Sequence, residues 1–142
     1  MYKRHKIIAV LIFLVFSLIS YFTHISYNNE FVSNSVTFLS ILIGFTITSL
    51  SLLFSSSTVK NFYDKVDGEN HSITQLHRLK NYYKTSILIS VSSVAVFLFL
   101  TLLQPEFLIY HILLGTIAVN IYLFIILFLF FLNLFVYENS RK

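Results

Sequence analysis

SSSTVKNFYDKVDGENHSITQLHRLKNYYK, residues 55–84, is the one long polar run in the chain, and its reading decides the fold. It holds five of the ten Lys and Arg residues: Lys60, Lys65, Arg78, Lys80 and Lys84. Val59, Phe62, Tyr63 and Val66 recur at helical spacing with charges between them, so the run begins as an amphipathic helix. Asp67-Gly68-Glu69-Asn70 is a turn signal. Ser72-x-x-Gln75 then matches a capping box for a second helix, whose apolar stripe is Ile73, Leu76, Leu79 and Tyr83, continuing to Ile87. Two facing apolar stripes predict a helical hairpin over residues 55–85 rather than a loose loop.

Outward from this hairpin the chain is apolar on both sides. Of 142 residues, 56% are hydrophobic and 11% charged, against roughly 25% charged in a typical soluble domain. There is too little polar surface to cover a core in water, so the bilayer is the natural solvent. The segments 7–24, 36–54, 86–103 and 107–137 predict four spans. The first follows the basic cap Met1-Tyr2-Lys3-Arg4-His5-Lys6, and residues 20–24 lack a small-x-small cleavage site, which predicts an uncleaved span rather than a signal peptide. Asn34 or Ser35 is the expected cap of the second span, after a polar loop at 24–35. Gln104-Pro105-Glu106 breaks the third span from the fourth. The fourth covers about 31 residues, or about 46 Å of helix, more than a hydrocarbon layer of roughly 30 Å.

The predicted architecture is therefore an all-α, integral-membrane four-helix bundle. It forms one transmembrane domain over 1–142, with a cytoplasmic helical hairpin between spans two and three. All ten Lys and Arg residues fall in the N-terminus, the hairpin or the C-terminal tail, and the other two loops carry only Glu30 and Glu106 as charges. The positive-inside rule then puts both termini and the hairpin in the cytoplasm. Tyr21, Tyr27, Tyr82, Tyr83, Tyr110 and Tyr137 are expected at the span ends, where tyrosine suits the membrane interface.

Within the spans there is no Asp, Glu, Lys or Arg. Ion-coupled and proton-coupled carriers generally need such a group in the membrane, so a proton-driven exporter is disfavoured. What remains is small and polar. Thr37, Ser40, Gly44, Thr48, Ser51 and Ser55 share one face of the second span, and Ser86, Ser90 and Ser93 share one face of the third. Such faces let helices approach closely, so Ser40, Gly44, Thr48 and Ser51 are expected to meet Ser86, Ser90 and Ser93, as a packing seam or as the lining of a pathway. In the fourth span His111, Gly115, Ala118, Tyr122 and Asn133 lie within about 60° of one another, with Asn120 on the opposite face. These are expected helix-packing residues, one face serving the bundle and the other a neighbouring subunit. His111, a turn from the outer end, is expected to have water access.

No catalytic, metal or cofactor site is read. Cysteine is absent, and no nucleophile elbow or phosphate loop is present. His71 and His77, with Asp67 and Glu69 nearby, do not share a helical face suited to a metal. The chain is read as a non-enzyme without cofactors. Lys60, Lys80 and Lys84 are placed to meet anionic headgroups, and Lys65 and Arg78 stand further out, partly offset by Asp64, Asp67 and Glu69. Lys60, Lys65, Arg78, Lys80 and Lys84 are thus the candidate contacts to headgroups or to a cytosolic partner. The charge density is too low for nucleic-acid binding.

The layout, and the second span FLSILIGFTITSL at residues 38–50 running into a basic hairpin, resembles small four-span membrane proteins of phage-exclusion and anti-phage systems, the RexB-like and KwaA-like proteins. The resemblance covers residues 36–103. It implies an oligomeric effector of the inner or plasma membrane that perturbs the bilayer or its potential when a cytosolic partner signals. Two other readings compete with it. One is a non-conducting anchor or adaptor docking a soluble protein through the hairpin. The other is a small lipid or solute carrier with second-span hydroxyls along its route.

Overall fold

A computed structural model describes residues 3–23, 29–55, 74–103 and 110–139. All four elements are helices: α1 Lys3–Phe22, α2 Asn29–Ser55, α3 Gln75–Leu103 and α4 Tyr110–Asn139. Each is long and apolar enough to cross a membrane. At 30 residues α4 is about 45 Å long, well beyond a hydrocarbon layer of roughly 30 Å. This is the plan of a multi-pass membrane protein. Large apolar side chains face outward along every helix, among them Val10, Ile41, Leu88 and Leu129.

The boundaries differ from the sequence reading at two helix starts. α2 begins at Asn29, so residues 29–35 are helix rather than loop. Glu30 stands in the first turn, where a carboxylate complements the positive end of the helix dipole. Val32, two residues on, is 1% exposed in an apolar cluster with Leu39, Phe97, Leu100 and Leu113. Tertiary packing thus extends the helix by two turns. Ser35 is accordingly no cap; its hydroxyl donates to the Phe31 carbonyl at 2.8 Å, inside the helix. At α3 the cap is Thr74, whose Oγ1 accepts the His77 amide at 3.3 Å. Ser72, the cap expected from sequence, lies outside the described residues, as do the predicted turn and Val59, Phe62, Tyr63 and Val66. The second arm, 75–84, is described, and it is continuous with the third span.

α1 packs chiefly on α4 and α2 chiefly on α3, while α4 also touches α2 and α3. The core is therefore made by α2, α3 and α4, in two apolar clusters. Leu53, Leu79, Tyr82, Tyr83, Ile126 and Leu127 form one at the basic end of the bundle. The Val32 to Leu113 cluster forms the other. Tyr82 and Tyr83, each 2% exposed, are core residues rather than interfacial anchors. α1 supplies nothing to either cluster and buries only Ser20. It leans on the outside of α4.

Candidate functional site

In hydrocarbon, apolar side chains gain little by leaving lipid for protein. Close packing and interhelical hydrogen bonds hold the helices together instead. The buried polar groups of α4 are where this chain concentrates those bonds.

Asn120 is 2% exposed and lies between the two apolar clusters. Its Oδ1 accepts the Ser90 hydroxyl at 2.6 Å. Its Nδ2 donates to Ser93 Oγ at 3.0 Å and to the Thr116 carbonyl at 2.8 Å. Ser93 passes its own proton back to the Ile89 carbonyl at 2.7 Å. Both amide hydrogens and the amide oxygen thus have partners, and the layer is closed. A saturated amide in a low-dielectric interior is a strong clasp and a poor stepping stone for an ion, which would need free ligands. Ser86, at 3% exposed, lies in the same buried face of α3. The predicted small face of α3 is therefore a packing face, on which Ser90 and Ser93 meet Asn120 of α4.

The opposite side of α4 meets α1. His111 is 4% exposed, not open to water, and its Nδ1 shares a 2.9 Å hydrogen bond with Ser20 Oγ. The Tyr21 ring stands edge-on to the imidazole at 5.6 Å. One turn along, Gly115 is the close-approach point. A Cβ there would fall on Ser17 Oγ and lie 2.6 Å from the Phe13 carbonyl oxygen. Only a glycine lets the two backbones come this near. At the basic end His5 Nδ1 shares a 3.0 Å bond with the Tyr82 hydroxyl, and its ring lies edge-on to Tyr82 and Tyr122. Three contacts along its length therefore pin α1. Both faces of α4 are used within one chain, rather than one being left for a neighbouring subunit.

Ser40, Gly44, Thr48 and Ser51 lie elsewhere. All four are exposed on the outward face of α2 and do not meet Ser86, Ser90 or Ser93. A Cβ on Gly44 would meet nothing within 4 Å. The hydroxyls of Thr37, Ser40 and Thr48 donate to the carbonyls of Ser33, Val36 and Gly44 on their own helix, at 3.1, 2.8 and 2.9 Å. The inward polar residues of α2 are instead Ser35, Thr46 and Ser49. Ser49 and the Tyr83 hydroxyl share a 3.3 Å bond. Asn133 is exposed on α4.

Of the basic residues, Lys80 and Lys84 are exposed, but Arg78 is buried at 8% and does not stand out from the bundle. Lys60 and Lys65 lie outside the described residues, with His71, Asp64, Asp67 and Glu69. Sequence reasoning missed Ser17, Ser20 and His5 as contact residues. Ser17 and Ser20 are the only polar residues in 7–22, and they stand one turn apart as His111 and Gly115 do, which was the available signal.

Comparison of the chain with protein-family models, curated proteins and solved structures finds no match.

Proposed function

We propose that the chain is a polytopic inner- or plasma-membrane protein with both termini and residues 55–85 in the cytoplasm. It acts as an oligomeric membrane effector, gated or recruited through that basic segment. A role in phage exclusion or defence, the resemblance noted above, fits this reading. The observation that carries it is the outward stripe of Ser40, Gly44, Thr48 and Ser51 on α2, exposed and at helical spacing, with open space where a Cβ on Gly44 would stand. Small residues on a membrane helix favour close association with another helix. The α2–α4 interior is filled by two apolar clusters and the closed Asn120 layer. Any conducting path therefore runs between chains and depends on that association.

Cysteine is absent from the chain, so single cysteines test this directly. Gly44→Cys is expected to cross-link as a dimer under mild oxidation, and Leu88→Cys, exposed on α3, is not. Proteoliposomes of the cross-linkable protein should pass ions or small dyes once the cytosolic partner is added. Monomeric protein in tight vesicles, with and without the partner, would end the effector reading.

The closed interior also favours a second reading, a non-conducting anchor whose basic segment docks a soluble protein. Deleting residues 60–80 should then abolish function while the spans still insert. A carrier with hydroxyls along its route is less well supported, because those hydroxyls are turned onto their own helix.

A further inference from the structure

α1 and α3 both rest against α4, and between them runs a furrow floored by α4. Two cavities make it up. One, of about 490 Å³, has Lys6 and Val10 of α1, Thr85 of α3 and Leu123 of α4 in its lining. The other, of about 450 Å³, reaches Val96 and Ile112. They share Phe13, Ile89 and Thr116, so they form one continuous channel along the bundle's side. Each falls in the size range of ligand sites.

Its chemistry is sharply divided. Apart from one end, the walls are aliphatic or aromatic with scattered hydroxyls. Three of those hydroxyls are engaged on their own helices: Thr85 donates to the Asn81 carbonyl at 2.8 Å, Ser93 to the Ile89 carbonyl at 2.7 Å and Thr116 to the Ile112 carbonyl at 2.9 Å. Ser92, exposed on the wall of the second cavity, adds one more hydroxyl, so a polar solute finds few partners in the furrow. The exception is Lys6, exposed at the basic end. From Thr85 to Val96 the furrow follows eleven residues of α3, about 16 Å, close to one leaflet's half of a roughly 30 Å hydrocarbon core.

We infer that this furrow binds an anionic phospholipid, one acyl chain lying along Val10, Phe13, Ile89 and Leu123 and the phosphate held by Lys6. The length fits a chain in one leaflet, the walls are mainly apolar, and Lys6 stands where the headgroup must be. Phe13, Ile89 and Leu123 are large and interrupt the small residues of the walls, so the furrow suits a thin acyl chain better than the close approach of a second copy's helix. The inference shares only the membrane setting with the function proposed above, and it places no demand on oligomerisation or conduction.

The chain has no tryptophan, so a single introduced one reports its own surroundings. Val10→Trp, at a 58% exposed position, puts the reporter in the furrow, and Ile41→Trp puts one on the outer face of α2. Full-length protein in phosphatidylcholine vesicles is titrated with bromine-labelled phosphatidylglycerol or bromine-labelled phosphatidylcholine. At Val10→Trp the anionic lipid should quench with about fivefold higher affinity, the weight of one lysine near an anionic surface. The preference should vanish in Lys6→Gln and persist in Lys6→Arg and in Lys3→Gln, which removes the same charge from outside the furrow. Ile41→Trp should show no preference. Equal affinities at Val10→Trp, or an equal preference at both reporters, overturns the site. Quenching at Ile41→Trp alone means protein covers the furrow, and this also overturns it. No quenching at either reporter removes the membrane setting itself, and the site with it.

Discussion

Replacing Gly115 by alanine tests the geometry that holds α1 to the bundle. The added carbon would lie 2.6 Å from the Phe13 carbonyl oxygen and collide with Ser17 Oγ. Heavy atoms settle near 3.5 Å, so α1 must withdraw by on the order of 0.5–1 Å. The Ser17 hydroxyl can rotate away, but a backbone carbonyl moves only with its helix. Overpacking of this kind costs about 1–3 kcal/mol. Alanine's better helix propensity returns up to about 1 kcal/mol, leaving a net loss of up to about 2 kcal/mol. The same change at Gly44, where a Cβ meets nothing within 4 Å, carries the propensity gain and no clash. The two substitutions therefore differ in sign. Reversible unfolding in mixed micelles, followed by far-ultraviolet circular dichroism, measures both. Ser17→Ala should rescue Gly115→Ala only slightly, because the carbonyl contact remains. Full rescue by Ser17→Ala, or equal effects at the two glycines, would refute the backbone approach of α1 to α4.

Other consequences follow from the same contacts. Asn120→Leu removes three hydrogen bonds and should cost about 1–2 kcal/mol in the unfolding assay. In a cycle with Ser90→Ala the two losses should fall short of additivity. Tyr82→Phe gives up the 3.0 Å bond to His5 and should cost about 0.5–1.5 kcal/mol, whereas Tyr83→Phe gives up only a 3.3 Å contact to Ser49 and should cost less. Gly44→Ile should leave the unfolding midpoint of the monomer nearly unchanged while abolishing association between chains; sedimentation in detergent checks the second half.

The four helices were legible because long uncharged runs admit few alternatives. The pairing within α4 was legible in part. His111 with Gly115 on one side and Asn120 on the other follow from 3.6 residues per turn, and the structure uses both sides. Which way α2 faces was not legible. A helix in lipid is apolar all round, so no amphipathic moment marks its inner side. Ser40, Gly44, Thr48 and Ser51 on one side and Ser35, Thr46 and Ser49 on another look alike in a hydropathy reading. They are distinguished only by neighbours that a one-dimensional pattern does not hold, such as Tyr83. The early start of α2 has the same origin, since residues 29–35 are polar enough to pass for a loop until Val32 is seen in the core. Arg78 reads as standing out from the bundle, and Tyr82 as an interfacial residue, because a polar run is equated with an exposed one. Their helix, α3, begins eleven residues before the apolar segment does and carries both of them into buried positions.

Membrane topology underlies every reading given above, and the absence of native cysteine makes it directly measurable. Single cysteines at Asn29 and at Asn70, in intact cells, are exposed to a membrane-impermeant maleimide before and after permeabilisation. The account predicts that residue 29, at the start of α2, labels from outside at once, and that residue 70 labels only after permeabilisation. Labelling of residue 70 from outside, with residue 29 protected, would invert the bundle and take the basic segment out of the reach of any cytosolic partner.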